Sequence, residues 1–229
     1  MTNISDIIRS QQFGDSMLPV GAFSFSNGLE SAIQTKLVHD VASLEQFVET
    51  AVIQSATADG IALLEAHRAA KKGDISRIKV ADREVFNRKI NEEARSMTVR
   101  MGNKLVEMAS VFLSDPILKE WAHLIKEHEV SGTYPVGQAI VFATSGLSEK
   151  HAFAAHQYGV ASMMLGASLR LMKVDHFETQ SILFRVDNLA DDLYNRITES
   201  TLEDMATFSP VADIMAAIHV KSNLRLFMN

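Results

Sequence analysis

The residues of this chain best suited to chemistry are its histidines and the carboxylates near them. His123 and His128 make one pair, His151 and His156 another, and "KEHEV" sets Glu127 and Glu129 on either side of His128. Imidazole and carboxylate hold a divalent metal from a helix when they are three or four residues apart on one face. Both histidine pairs are five apart, which rotates the second ring away. Adjacent residues point apart as well, so solvated charge is the simpler reading of KEHEV.

Other chemistries fare no better. A phosphate-cradling loop needs closely spaced glycines and a following lysine between a strand and a helix, and Gly21 and Gly28 meet none of that. The serines include none with glycine two residues to either side, so no nucleophile elbow is present. With no cysteine there is no thiol nucleophile, thiolate metal site or disulfide framework. A net charge of −6 provides no basic field for nucleic acid or an anionic membrane. The N-terminus, with Asp6 and no long apolar run, does not read as a signal peptide, so a cytoplasmic protein is expected.

One stretch mixes turn residues with core residues. "DSMLPVGAFSFSNGLES", Asp15 to Ser31, holds two glycines, a proline and two phenylalanines. Asn27 at an N-cap and Glu30 three residues later read as a capping box for a helix to about Leu37. Phe23 and Phe25 fit either core plugs or a shaped contact surface.

The elements that must carry these residues are helical. Ser43 with Gln46 reads as a capping box before a helix on which Leu44, Phe47, Val48, Ala51, Val52 and Ser55 keep three-four spacing, and Lys71, Lys72 and Gly73 end it. Asp74 begins a weaker segment, and a long helix is expected from about Ala81 to Leu113. Pro116, Pro135 and Pro210 fit first turns, and Ser148 and the Thr201–Asp204 pair fit caps. "HAFAAHQYGVASMMLGASL", His151 to Leu169, has no charged residue, but its histidines, Gln157 and Tyr158 make it a central helix rather than a membrane span. Only "AFSFS" alternates with period two, too briefly to found a sheet. The expectation is an all-α, single-domain bundle of about ten helices over residues 1–229, with no linker or repeat. Residues 221–229, basic at Lys221 and Arg225 and apolar at Leu224, Leu226 and Phe227, form a tail too short to fold alone, expected to be ordered by a partner.

Four blocks then match a known family. "LPVGAFSFSNGLE", "NRKINEEARSMTVRMGNKLVEM", "YGVASMMLGASLRLMKVDHFETQSILF" and "FSPVADIMAAIHVKSNLRLF" occur in the order seen in the UreF family of urease accessory proteins, which the chain resembles over nearly its whole length. Differences are local. Phe23 stands where many members have tyrosine, His219 is followed by Val220, and Asn223-Leu224 precede Arg225.

The resemblance implies an all-helical, cytoplasmic homodimer that is not an enzyme and has no cofactor or metal site of its own. It implies an adaptor between the accessory protein UreD, also called UreH, and the GTPase UreG, so that nickel enters apo-urease, with GTP hydrolysis modulated on the way. No nucleic acid and no membrane are expected as partners. The residues it points to for the UreD/UreG face are Phe23, Glu30, Arg170, Gln180, His219, Arg225 and Phe227. Two other readings stay open. One is a helical scaffold without GTPase linkage. The other is a small helical enzyme built on His151, His156 and Glu127, which a strongly perturbed histidine would favour.

Overall fold

Glycine and small side chains decide where the centre of this fold lies. In "YPVGQAIVFAT" nearly every residue is apolar or small, so the helix they form has no polar face to turn to water and has to be surrounded. The computed structural model, which describes residues 3–15, 18–207, 210–219 and 226–227, places it so. This helix, Tyr134–Thr144, is buried from Pro135 to Ala143.

Around it the chain runs as α1 (Ile4–Gly14), α2 (Leu29–Gln34), α3 (Val41–Ser55), α4 (Ile61–Lys72), α5 (Ile75–Arg88), α6 (Glu92–Phe112), α7 (Pro116–Lys126), the central α8, α9 (Glu149–Leu171), α10 (His176–Asp187), α11 (Ala190–Ile197) and α12 (Pro210–His219). Helix α8 packs against α4, α5, α6, α7 and α9. One contiguous apolar core, from Phe13 to Phe227, joins them. The fold is an all-α bundle in a single domain, and no strand occurs among the described residues.

The tight seat of α8 has identifiable causes. Gly102 on α6 passes so close to the turn before α8 that a Cβ there would stand 2.1 Å from the Gly132 carbonyl oxygen and 2.6 Å from the Thr133 carbonyl carbon. Thr133, the N-cap, makes no side-chain cap bond. A residue from another helix takes over that role. The carboxylate of Asp82 on α5, 2% exposed, accepts the backbone N–H groups of Ser131, Gly132 and Thr133 at 2.9, 3.1 and 2.7 Å. A carboxylate there satisfies donors that precede a helix and suits its positive end.

Several expected boundaries shift, each for a local reason. Helix α3 is capped by Asp40, whose carboxylate accepts from Ser43 N, so Ser43 is the third helical residue and not the cap expected with Gln46. Helices α3 and α4 continue through a π turn, Ala56–Gly60, and end at Gly73 as expected. The helix expected from Ala81 to Leu113 is two, α5 and α6. Asn91 starts the second by accepting from Ala94 N at 2.7 Å. The break also lets Lys89 reach Asp59 at 2.7 Å.

Asn27 and Glu30 form no capping box. Gly28, at φ 80°, is the N-cap of α2 and makes no side-chain bond, so Glu30 is available for another task. The "AFSFS" run is a 3-10 turn over Ala22–Ser24.

Helix α9, capped by Ser148 as its sequence indicated, packs on α1, α2, α3, α4, α8, α10 and α11. Among the described residues a different segment is long and apolar enough to cross a membrane, Val41–Lys72, and 56% of its apolar window is buried inside the bundle.

Candidate partner-binding site

Phe23 and Phe25 divide the two roles their sequence left open. Phe25 is core, 3% exposed, whereas Phe23 stands out on the 3-10 turn at 72%. The turn is possible because Gly21 opens it in the left-handed region, φ 90°, and Gly28 closes the loop at φ 80°. Phe25 anchors the loop from below and leaves Phe23 facing outward.

Arg170 reaches Phe23 from the last turn of α9, where a cation also suits the helix's negative end. Its guanidinium carbon lies 3.8 Å from the Phe23 ring centroid, and Nη2 donates to the Phe23 carbonyl oxygen at 3.2 Å. A second ring shares the same cation, with Phe227 centred 4.1 Å away. An arginine fits such a place because its weakly hydrated plane stacks on aromatic faces, which a compact ammonium does not.

Phe227 is held by Glu30. The Glu30 side chain, 2% exposed on α2, accepts Leu226 N at Oε1 (2.9 Å) and Phe227 N at Oε2 (3.1 Å). Gln34 Nε2 adds a longer contact to Oε1 at 3.4 Å. The Phe227 ring is 5% exposed, while Leu226 points outward. Leu226 and Phe227 therefore dock on the chain itself. Helix α12 packs on α2 nearby, where the Thr35 hydroxyl lies 3.4 Å from the Met215 sulfur.

Four of the residues singled out from the sequence thus meet: Phe23, Glu30, Arg170 and Phe227. Gln180 does not join them. It is exposed on α10, in a shallow groove with His176, Phe177, Ser181, Phe184 and Arg185. No hydrogen bond or ring contact among the described residues ties it to Arg170. The groove is unusually apolar for a surface, with Phe177 84% and Phe184 73% exposed, and sequence alone offered no sign of which face of α10 they occupy. Arg185 closes one side through a bidentate pair with Glu45 at 2.5 and 2.7 Å. His219 ends α12, its side chain outside the described residues, and Arg225 lies outside them entirely.

The histidines occupy other places. His151 pairs with the Ser148 hydroxyl at 2.8 Å and His123 faces Glu127 at 4.0 Å. His156 is buried beside Tyr134, with Nδ1 against Gln138 Oε1 at 2.9 Å. Burial pushes its pKa down to about 4, Asp59 at 4.0 Å offsetting only part of this. A histidine perturbed that far is a feature of many catalytic sites. Here, however, Nε2 is sealed from solvent and has no hydrogen-bond partner among the described residues, Asp59 standing too far off for one, so the ring is not open to a substrate in this conformation.

The family is fixed by comparison with known proteins. The UreF family pattern matches residues 38–187. A urease accessory protein UreF 2 of Brucella canis is 49% identical over 227 residues, covering 99% of this chain and 93% of the relative. A urease accessory protein UreF of Yersinia pseudotuberculosis serotype IB is 48% identical over 227 residues, covering 99% of this chain and all of its own length. The chain belongs to the UreF family of urease accessory proteins. Within this UreF-family chain, the matched segment carries Arg170 and Gln180, while Phe23, Glu30 and Phe227 come from the flanks that the full-length relatives also cover.

Proposed function

We propose that this chain is a non-catalytic, cytoplasmic adaptor in urease maturation, joining UreD/UreH to the GTPase UreG so that nickel is delivered to apo-urease, and that it tunes GTP hydrolysis by UreG. Family membership and coverage of full-length relatives support a role in maturation. The adaptor reading is carried by one observation: Phe23 stands exposed over Arg170, on a side chain and backbone already fixed from below. A rigid aromatic with a cation beneath it is the kind of anchor that protein partners use, since little conformational entropy remains to be lost on binding.

A homodimer belongs to the same reading. Gly159 and Gly166, with open space where a Cβ would stand, lie on the outer side of α9 and suit close helix approach. Isolation of the tagged chain from cells carrying a complete urease operon tests the adaptor reading, with UreD and UreG expected to co-purify. Recovery of neither, with urease still activated in the same cells, contradicts it.

A further inference from the structure

We infer that Asp59, Lys89 and His156 form a proton-operated latch: the Asp59 carboxylate ties down the break between α5 and α6 through Lys89 while His156 is neutral, and is drawn off to His156 when that ring takes up a proton. The inference is independent of the adaptor reading.

One carboxylate faces two bases. Lys89 Nζ donates to both of its oxygens, at 2.8 and 2.7 Å. His156 Nε2 stands 4.0 Å from the second of them, Oδ2. That is beyond hydrogen-bond reach, yet near enough for a charge on the ring to change which partner the carboxylate favours. The ring is also held in its orientation. Its Nδ1 meets Gln138 Oε1 at 2.9 Å, and an amide oxygen only accepts, so Nδ1 donates and Nε2 is the basic nitrogen turned to Asp59.

Both ends of the ion pair sit where the backbone leaves regular helix. Asp59 lies on the π turn Ala56–Gly60, a kind of turn that recurs at functional sites. Lys89 is the C-cap of α5, and Asn91 starts α6 two residues later. The bonds of Asn91 Oδ1 to Ala94 N and of the Lys89 carbonyl to Arg95 Nε are local. The Lys89 ammonium is what reaches from the break to a distant helix.

The two cations differ in what they can do without Asp59. A charged imidazolium sealed in the core needs a counter-ion, whereas the Lys89 side chain, 21% exposed, can carry its ammonium into water on a flexible stem. Lys89 engages both oxygens, so the ring gains Oδ2 only as Lys89 gives it up. Asp59 from the π turn and Lys89 from α5 are the charged groups acting on the ring among the described residues. Helix α8 adds Gln138 and the phenol of Tyr134, which burial keeps neutral by raising its pKa to about 12. Burial holds the ring neutral down to about pH 4, and a state in which it has reached Asp59 takes the proton earlier, so falling pH favours release of the break.

The test uses the full-length protein as wild type, Lys89→Met, Asp59→Asn and His156→Gln. Nuclear magnetic resonance of the imidazole follows the proton on His156, its signal assigned by its loss in His156→Gln. Amide hydrogen exchange at Lys89, Ala94 and Arg95, whose N–H groups are bonded within the break, reports opening once corrected for the intrinsic effect of pH. Lys89→Met should raise the His156 pKa by about one unit or more, a tenfold firmer hold on the proton, and speed exchange at these amides at least tenfold at neutral pH. In wild type the same amides should lose protection at least tenfold between about pH 7 and about pH 5, because the open state gains about tenfold per unit below about 6.5. His156→Gln should show no such step. Asp59→Asn should exchange fast at both pH values, and it carries the test should Lys89→Met fold poorly. Throughout, these amides should exchange faster than those of α8, since opening the break leaves the core closed. An unchanged His156 pKa in Lys89→Met overturns the competition. A pH step in His156→Gln as large as in wild type, protected amides in Asp59→Asn, or rates equal to those of α8, which would mean global unfolding, overturns the latch.

Discussion

Arg170 holds Phe23 twice over, by its guanidinium plane at 3.8 Å from the ring centroid and by a hydrogen bond of 3.2 Å to the carbonyl of the same residue. Ring and backbone are thus fixed by one side chain from a helix 147 positions away. Arg170→Lys keeps the charge and removes the plane. Since Arg170 is exposed, the expected change in folding stability is below about 1 kcal/mol, while partner affinity falls roughly tenfold. Thermal melts and UreG titrations on the same samples check both halves, and equal affinity for Arg170→Lys contradicts the stacking argument.

Asp82 offers a stability test remote from this face. Its carboxylate serves three backbone amides at the entrance to the central helix. Asp82→Ala leaves those donors without it in a buried turn, at an expected cost of about 3 kcal/mol. For a chain of this size that is a fall of roughly 8 °C in the melting midpoint. A fall under about 2 °C would mean that water replaces the carboxylate without loss.

Gly102 tests the close approach of α6 to the same turn. Alanine there meets backbone atoms, not a side chain that can swing away. Gly102→Ala should therefore destabilise by about 2 kcal/mol or more even though alanine is the better helix former. Denaturant unfolding that shows a gain in stability would contradict the packing described.

His156 gives a pH dependence with a definite sign. Its pKa in the fold is about 4, below the ordinary 6.5, because burial disfavours the charged ring. The unfolded chain takes up the proton first as pH falls. The stabilisation is therefore fully present above about 6.5 and is lost between there and about 4, amounting to roughly 3 kcal/mol. His156→Gln removes that titration. Between pH 7 and pH 4 wild type should lose about 3 kcal/mol more than the variant, and parallel losses would show that the ring does not titrate this way.

What could be read from the sequence followed from local rules. The periodicity of α3 and α4, the cap at Ser148, the stop at Gly73 and the prolines at Pro116 and Pro210 all depend on residues within a turn or two. Where the structure departs from local rules, the contacts responsible have longer reach. The expected helix from Ala81 to Leu113 breaks where Lys89 turns to Asp59 on the π turn, a partner 30 positions away, although Asn91 with Glu92 and Glu93 is a local start signal. Glu30 reads as a cap residue by spacing, and its actual partners are at the opposite end of the chain. Residue resemblance pointed to Phe23, Glu30, Arg170 and Phe227 one by one. No spacing rule could have said that they share one cluster, or that Gln180 stands elsewhere beside two exposed phenylalanines.

The role of the Phe23–Arg170 face is tested by urease maturation in cells that lack this chain and are supplied with either wild type or Arg170→Ala. Urease is then purified, and its nickel content and activity are compared at equal amounts of urease protein and of the accessory chain. Arg170→Ala is expected to accumulate to the wild-type level while nickel content and activity of urease fall at least tenfold. Full nickel loading by Arg170→Ala at normal abundance would contradict it.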